Sequence, residues 1–263
     1  MKRLSSILTT IGVSALVIQT AHASPLFSEA FNYNAGNLVG NGGWSGGAST
    51  GLQVVSGNLT YPGLADQGGN ELEIVNGSAQ TAYATFANQT SGQVYYSFLF
   101  NSTAADSANN YFTALNPGTS TPNGGSDAID AYYYISGKIE VRGNAQSATA
   151  GTGTALSLNT TYLIVEELDL DAHTASLWIN PDSSTFGGTA PTATASLSSL
   201  TATAVDNVGF KAQSAAGGPY LVDNLLIGTT WADVTPAVPE PSTVAFVGLG
   251  ILGLISARRR MRK

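Results

Sequence analysis

The sequence predicts an all-β protein, an antiparallel two-sheet β-sandwich built as one domain. Three observations carry that prediction. Between residues 24 and 234, about twelve short runs rich in Val, Ile, Leu, Phe, Tyr and Thr alternate with turn-forming clusters, roughly one every dozen residues, which is the rhythm of sandwich strands. No stretch of this region shows the 3.6-residue apolar stripe of an amphipathic helix. The chain has no cysteine, so its 215 residues from Ser24 to Val238 must be held by a buried core rather than by disulfides, and that length suffices.

The chain opens on a segment that does not belong to the sandwich. Lys2 and Arg3 precede an apolar stretch over 7–18, and Ala21-His22-Ala23 has the small-x-small form of a cleavage site. Residues 1–23 therefore read as a secretory signal peptide cut after Ala23, which implies Sec export and signal peptidase as partners.

Strands are expected at 26–33, 53–55, 72–75, 83–86, 94–100, 111–115, 131–135, 138–141, 162–170, 175–179, 208–211 and 220–227. The clearest hairpin is YLIVEELDLD-AHT-ASLWIN, with the turn at 171–174; a tighter one joins the tyrosines at 132–134 to Lys138 through Ser136-Gly137. Residues 34–50, 101–110, 116–127 and 181–199 read as long surface connections, since strands resume after each. Residues 235–241, TPAVPEP, read as a stiff linker leaving the domain.

Net charge narrows the partners. With both ends set aside, 16 acidic side chains face three basic ones, Lys138, Arg142 and Lys211, a net of about −13. Such a surface repels nucleic acid and anionic lipid.

The C-terminal end has three pieces in fixed order: Val238-Pro239-Glu240-Pro241, an apolar run expected to form a membrane helix over 242–257, and the basic cluster Arg258, Arg259, Arg260, Arg262 and Lys263 at 258–263. The run is a little short of the ~20 residues that cross a bilayer core, so Ser242 and the Arg258 stem would complete it. Basic residues behind a span keep that end cytoplasmic and leave the sandwich outside. Gly248, Gly250 and Gly253 fit a dinucleotide-binding spacing, but inside an apolar span they read as helix-packing positions. The ordered set resembles the PEP-CTERM sorting signal. That resemblance implies processing near Pro239-Glu240-Pro241 by an exosortase-type membrane protease, followed by display at the cell surface or in an extracellular matrix alongside exopolysaccharide.

Three stretches of the exported part, LFSEAFNYNAGNLVGNGGW, TYLIVEELDLDAHTASLWINP and VDNLLIGTTWADVTP, resemble concanavalin A-like, laminin-G-type jelly rolls. The resemblance implies two sheets of six or seven strands, in a family that holds lectins, carbohydrate-binding modules and glucanases. Its fold alone therefore names no function.

Several residues are candidates for chemistry. Glu167, Asp169 and Asp171 project from one strand face, and a pair of carboxylates is what glycoside hydrolysis needs. The related glucanases carry Glu-x-Asp-x-Glu there, whereas this chain ends in Asp171, at a turn where Asp is common for backbone reasons. The expectation is a protein without enzymatic activity. His173 is the one histidine left after signal cleavage, so no triad or multi-histidine zinc site is assembled. Ca2+ is the cofactor the residues admit, through Glu29 on the first strand and Asp223 on the last if those strands are neighbours; Asp127 with Asp130, and Asp66 with Asn70 and Glu71, are further oxygen clusters. Trp44, Tyr61, Tyr111, Tyr133 and Trp231 are the aromatics available as sugar platforms. Trp44, in a Gly-rich loop, is the leading ligand-binding candidate, against packing in the core. The expected function is a structural or matrix role at the cell surface, with a lectin-like carbohydrate-binding module and a weak glycosidase as the alternatives.

Overall fold

The computed structural model describes residues 24–238 apart from 48–49, 107, 120, 123–126, 134–135, 145–147, 152 and 214–216. The signal segment expected at 1–23, the Pro239-Glu240-Pro241 motif, the membrane helix expected at 242–257 and the basic cluster lie outside the described residues. Among the described residues no helix is long and apolar enough to cross a membrane.

In chain order the strands are β1 (Phe27–Glu29), β2 (Gly36–Asn37), β3 (Ser45–Gly46), β4 (Leu52–Val55), β5 (Glu71–Ile74), β6 (Gln80–Gln89), β7 (Gln93–Ser102) and β8 (Asn110–Asn116). They continue with β9 (Ile129–Tyr133), β10 (Ile139–Gly143), β11 (Ala148–Gly151), β12 (Tyr162–Asp169), β13 (Thr174–Ile179), β14 (Ala195–Leu197), β15 (Val205–Ala212) and β16 (Tyr220–Gly228). One turn of helix, α1 (Trp231–Val234), follows. A nine-stranded sheet runs β14-β13-β12-β7-β16-β5-β4-β2, with β1 also on β16, and a seven-stranded sheet runs β11-β10-β9-β8-β15-β6-β3. Neighbours in both sheets pair antiparallel, as in β12 on β7 and β15 on β6. The two-sheet sandwich is as the sequence predicts.

The twelve expected strands are all present, with ends shifted by a few residues. The large exception is the first, which stops at Glu29 because Phe31 turns into the left-handed region at φ 48. The Glu29 carboxylate fixes that turn by accepting from the Phe31 N–H at 2.6 Å. The strands missed by sequence reading, β2, β3, β11 and β14, are short, and their Gly, Ser, Ala and Thr residues carry no apolar alternation.

The core follows from side-chain alternation. Tyr96, Phe98 and Phe100 of β7 face the other sheet, where Phe112 lies 5.1 Å from Phe100 and 5.8 Å from Phe98 between ring centres, and Tyr133 lies 5.2 Å from Phe100. Tyr95 and Leu99 of the same strand face the opposite way, into a second cluster with Leu163, Val165, Trp178, Phe186, Leu226 and Trp231. That cluster covers the outer face of the nine-stranded sheet with the connections around Leu59 to Leu64 and Phe186 and with α1. β7 is thus buried on both faces, which accounts for its continuous apolar run.

Residues 235–238, expected to open a stiff linker over 235–241, are instead docked on the domain. Thr235 is fully buried, its hydroxyl donating to the Trp231 carbonyl at 2.8 Å and its carbonyl accepting from the Gly187 N–H at 2.7 Å. Ala237 then forms an isolated antiparallel bridge with Leu64. The physical reason is α1: a capping box between Thr230 and Asp233 seats Trp231 in the second apolar cluster and aims the chain back across the sheet.

Candidate functional site

The outward face of the seven-stranded sheet gathers the positive charge of the exported domain. Since Phe210 and Ala212 point inward on β15, Lys211 points out; since Ile139 and Val141 point inward on β10, Arg142 points out. Tyr111, the second residue of β8, precedes the inward-facing Phe112 and takes the outward face too. The Lys211 ammonium donates to the Tyr111 hydroxyl and lies 4.4 Å from the ring centre, while the Arg142 guanidinium carbon lies 5.9 Å from the same centre. One half-buried aromatic ring is flanked by two cations.

Arg142 is itself held in place. Its Nε donates to Asp130 Oδ1 at 2.9 Å, and both side chains are buried. Burial pushes the Asp130 carboxyl up to about 6, with Arg142 pulling it down and Asp127 pushing it further up. Beside this group Gly209 and Ala114 pair across β15 and β8, and both are buried. Pro122 of the covering loop sits on Gly209 so closely that a Cβ there would meet the Pro122 Cδ at 2.4 Å. That part of the sheet is therefore covered, and Tyr111 is where the face reaches the surface.

Of the five aromatics proposed as sugar platforms, Trp44, Tyr133 and Trp231 are buried, and Tyr61 and Tyr111 reach the surface. Trp44 is a correction to the sequence reading: its ring packs 5.3 Å from Phe210 and 6.1 Å from Phe27, and its indole N–H donates to Glu29 Oε2 at 2.7 Å. The Gly-rich loop turns inward because Trp44 brings the largest apolar surface of that segment. Tyr61 lies 6.2 Å from Phe186 on the far face of the molecule.

The calcium pair is a second correction. β1 does neighbour β16, as expected, with Glu29 opposite Leu225, which belongs to the inter-sheet core. Asp223 sits opposite Leu99, which belongs to the outer cluster. Residues paired across strands share a face, so Glu29 and Asp223 point to opposite sides of one sheet. The Glu29 oxygens take the donors of Phe31, Tyr33 and Trp44, and those of Asp223 take the Leu59 and Asn224 N–H groups. Among the described residues no three His, Cys, Asp or Glu side chains are placed to hold a metal ion.

Glu167 and Asp169 share the outward face of β12, as expected, opposite Tyr95 and Gln93. Asp169 Oδ1 accepts from the N–H groups of Asp171 and Ala172 at 3.0 and 2.7 Å, and Asp171 Oδ2 accepts from the Gly92 N–H at 3.0 Å. Burial raises the Glu167 carboxyl, with Ser176 and Tyr95 pulling it back. Two of the three carboxylates are thus committed to turn backbone. His173 stands exposed in the same turn at φ 56.

Sequence reading passed over Glu166, which is fully buried between the sheets opposite Tyr96. Neither of its oxygens has a hydrogen bond of normal geometry among the described residues, and burial, with Asp130 adding to it, pushes the carboxyl well above the usual range. The signal was present: Ile164, Leu168 and Leu170 mark one face of β12, and Glu166 has their parity.

At the end of the molecule where the chain leaves, Pro25, Phe186, Gly187, Leu226, Ala232, Asp233, Pro236 and Ala237 line an open pocket of about 340 Å³. Both ends of the domain meet there.

Comparison with solved structures places the fold. A sialidase superposes with a TM-score of 0.53 at 10% identity, over 81% of this chain and 19% of its own, so the chain spans about a fifth of that protein's length. Lectin II from Ulex europaeus gives 0.45 at 12% identity over 78% and 99% of the two chains, and a Trypanosoma rangeli sialidase 0.41 at 10% over 78% and 35%. At these identities the likeness concerns the sandwich alone. No curated protein matches the sequence. Residues 237–260 match the PEP-CTERM protein-sorting motif, and this C-terminal signal marks the chain as an exported protein anchored at the membrane.

Proposed function

We propose that the protein is a non-enzymatic component of the cell surface or extracellular matrix, which holds polysaccharide against the outward face of its seven-stranded sheet. The observation that carries this is Tyr111, a partly exposed ring flanked by Lys211 and Arg142 on that face. A sugar ring stacks its C–H face on an aromatic platform while charged side chains fix its hydroxyls. Lys211 reaches the surface at this ring, while Arg142 is buried and paired with Asp130, so a glycan bearing carboxylates would meet the lysine. The absence of an enzymatic role is supported by the turn contacts that occupy Asp169 and Asp171. Sorting by the C-terminal signal would bring the domain to the exopolysaccharide outside the cell.

The test is a pull-down of residues 24–238 on the producer's own polysaccharide and on a glycan array. Tyr111→Ala is expected to weaken retention about tenfold, the value of ~1–2 kcal/mol for a lost stacking contact. Lys211→Gln should weaken it more for acidic than for neutral glycans. Trp44→Phe, which keeps the core, should leave it unchanged. Retention that survives both Tyr111→Ala and Lys211→Gln would sink the assignment of this face.

A further inference from the structure

The fold holds the chain right up to the sorting motif. Pro236 accepts from the Ala65 N–H at 2.7 Å, Val238 donates to the Gly63 carbonyl at 3.0 Å, and Leu64 and Ala237 face each other between these two bonds. The ladder ends there because the partner segment turns over 61–64, where the Leu64 N–H donates to the Tyr61 carbonyl at 3.2 Å, and the next residue of the tail is Pro239. Val238, 50% exposed, is the last residue of the tail that pairs with the domain among the described residues and the first neighbour of Pro239-Glu240-Pro241. From Val238 to Thr243, where the apolar run begins, there are five residue steps, about 17 Å even when fully extended.

We propose that residues 236–238 are a strap that must peel from residues 63–65 before the sorting motif can be processed at the membrane, so that release of this edge sets the processing rate. The proposal rests on the reading of the tail as a processed sorting signal. An enzyme that reads an extended peptide takes up backbone groups on both sides of the bond it cuts. While the strap is docked, the Pro236 carbonyl and the Val238 N–H are already in use, and the folded surface stands one residue from Pro239. Peeling the strap frees both groups and adds three residues to the reach of the motif. Thr235, buried and bonded on both sides, is where peeling stops, so release leaves the sandwich intact. Two backbone hydrogen bonds, each worth about fivefold, leave the peeled form at a few per cent.

The cysteine-free chain makes the test direct. Leu64 and Ala237 form a non-hydrogen-bonded antiparallel pair, and Cα atoms in such pairs lie about 4.5 Å apart, within disulfide reach. The full chain carrying Leu64→Cys and Ala237→Cys is exported in a bacterium that has the sorting machinery, and loss of the C-terminal segment is followed by mass spectrometry with and without dithiothreitol. The oxidised pair is expected to mature at least ~10-fold more slowly than the reduced pair, which serves as the control for folding. A Gly-Ser spacer inserted between Val238 and Pro239 should restore the rate with the disulfide still closed. An oxidised pair that matures as fast as the reduced one overturns the strap, as does a spacer that restores nothing. A native chain that keeps its tail throughout overturns the processing reading on which the strap depends.

Discussion

Glu29 shows how much one side chain organises at this end of the sandwich. Its carboxyl group accepts from the Phe31 N–H, the Tyr33 hydroxyl and the Trp44 indole, so a single buried side chain ends β1, orders the loop behind it and seats the largest ring of the Gly-rich segment. Burial and the Glu29 carboxylate together raise the Tyr33 hydroxyl beyond the ordinary tyrosine range. Hydrogen bonds to a charged group contribute about 1.5–3 kcal/mol each, and a donor left buried without a partner costs a similar amount. Glu29→Ala should therefore destabilise the domain by at least ~3 kcal/mol, and Trp44→Phe, which keeps most of the packing and removes one donor, by about 1–2 kcal/mol. Urea unfolding of residues 24–238 reads both. Equal losses for the two variants would mean that Glu29 matters only through Trp44. None of this was legible in the sequence, where Trp44 among glycines looks like a displayed ring and Glu29 like a metal ligand. What decides is the partner across space: Trp44 meets Phe27 and Glu29 of β1 directly and packs on Phe210, which Phe31 also contacts.

At the scale of elements, legibility followed apolar alternation. β7, β12, β13 and β16 announce themselves through long runs of Val, Leu, Ile, Phe and Tyr, and the hairpin β12–β13 through its Asp-Ala-His turn. Strands of two to four small residues leave no such trace, because their pairing is decided by the neighbour they lie against. The hairpin also explains the carboxylates that resembled a catalytic row. Asp169 receives two turn N–H groups, and the turn places His173 in the left-handed region, where a residue with Cβ is strained. Asp169→Ala should cost about 1 kcal/mol through the lost turn contacts, while His173→Gly should contribute up to about 1 kcal/mol of stability. Thermal unfolding of the two variants separates these effects in opposite directions. A His173→Gly variant less stable than the native chain would show that its imidazole holds more than the turn.

For the whole molecule, the composition set the sign of the surface charge, but the fold decided which of those charges are expensive. Burial pushes the Asp223 carboxyl up to about 7, with Glu71 and Asp66 pushing it further against the pull of the Asn224 and Leu59 N–H groups. Burial likewise raises Glu71, Asp106, Glu167 and, most of all, Glu166. A carboxyl whose value in the fold lies above its unfolded value binds protons more tightly when native, so its contribution is complete below the unfolded value near 4 and is lost as pH rises through the folded one. The groups named here share that sign, which is opposite to the usual acid-denaturation behaviour of salt-bridged carboxylates. The melting temperature of residues 24–238 should therefore fall between pH 5 and pH 8, by roughly 4–8 °C for a loss of about 2 kcal/mol. Repulsion within a domain of net charge near −13 acts in the same direction, but salt screens it over a Debye length of about 10 Å at 0.1 M and leaves the cost of burial in place. The fall should accordingly persist in 0.5 M NaCl, and Glu166→Gln combined with Asp223→Asn should flatten it by removing two deeply buried contributors. A fall abolished by salt in the native chain would assign it to surface repulsion, and a melting temperature that rises from pH 5 to pH 8 would mean that these carboxyls are charged in the fold and held by partners.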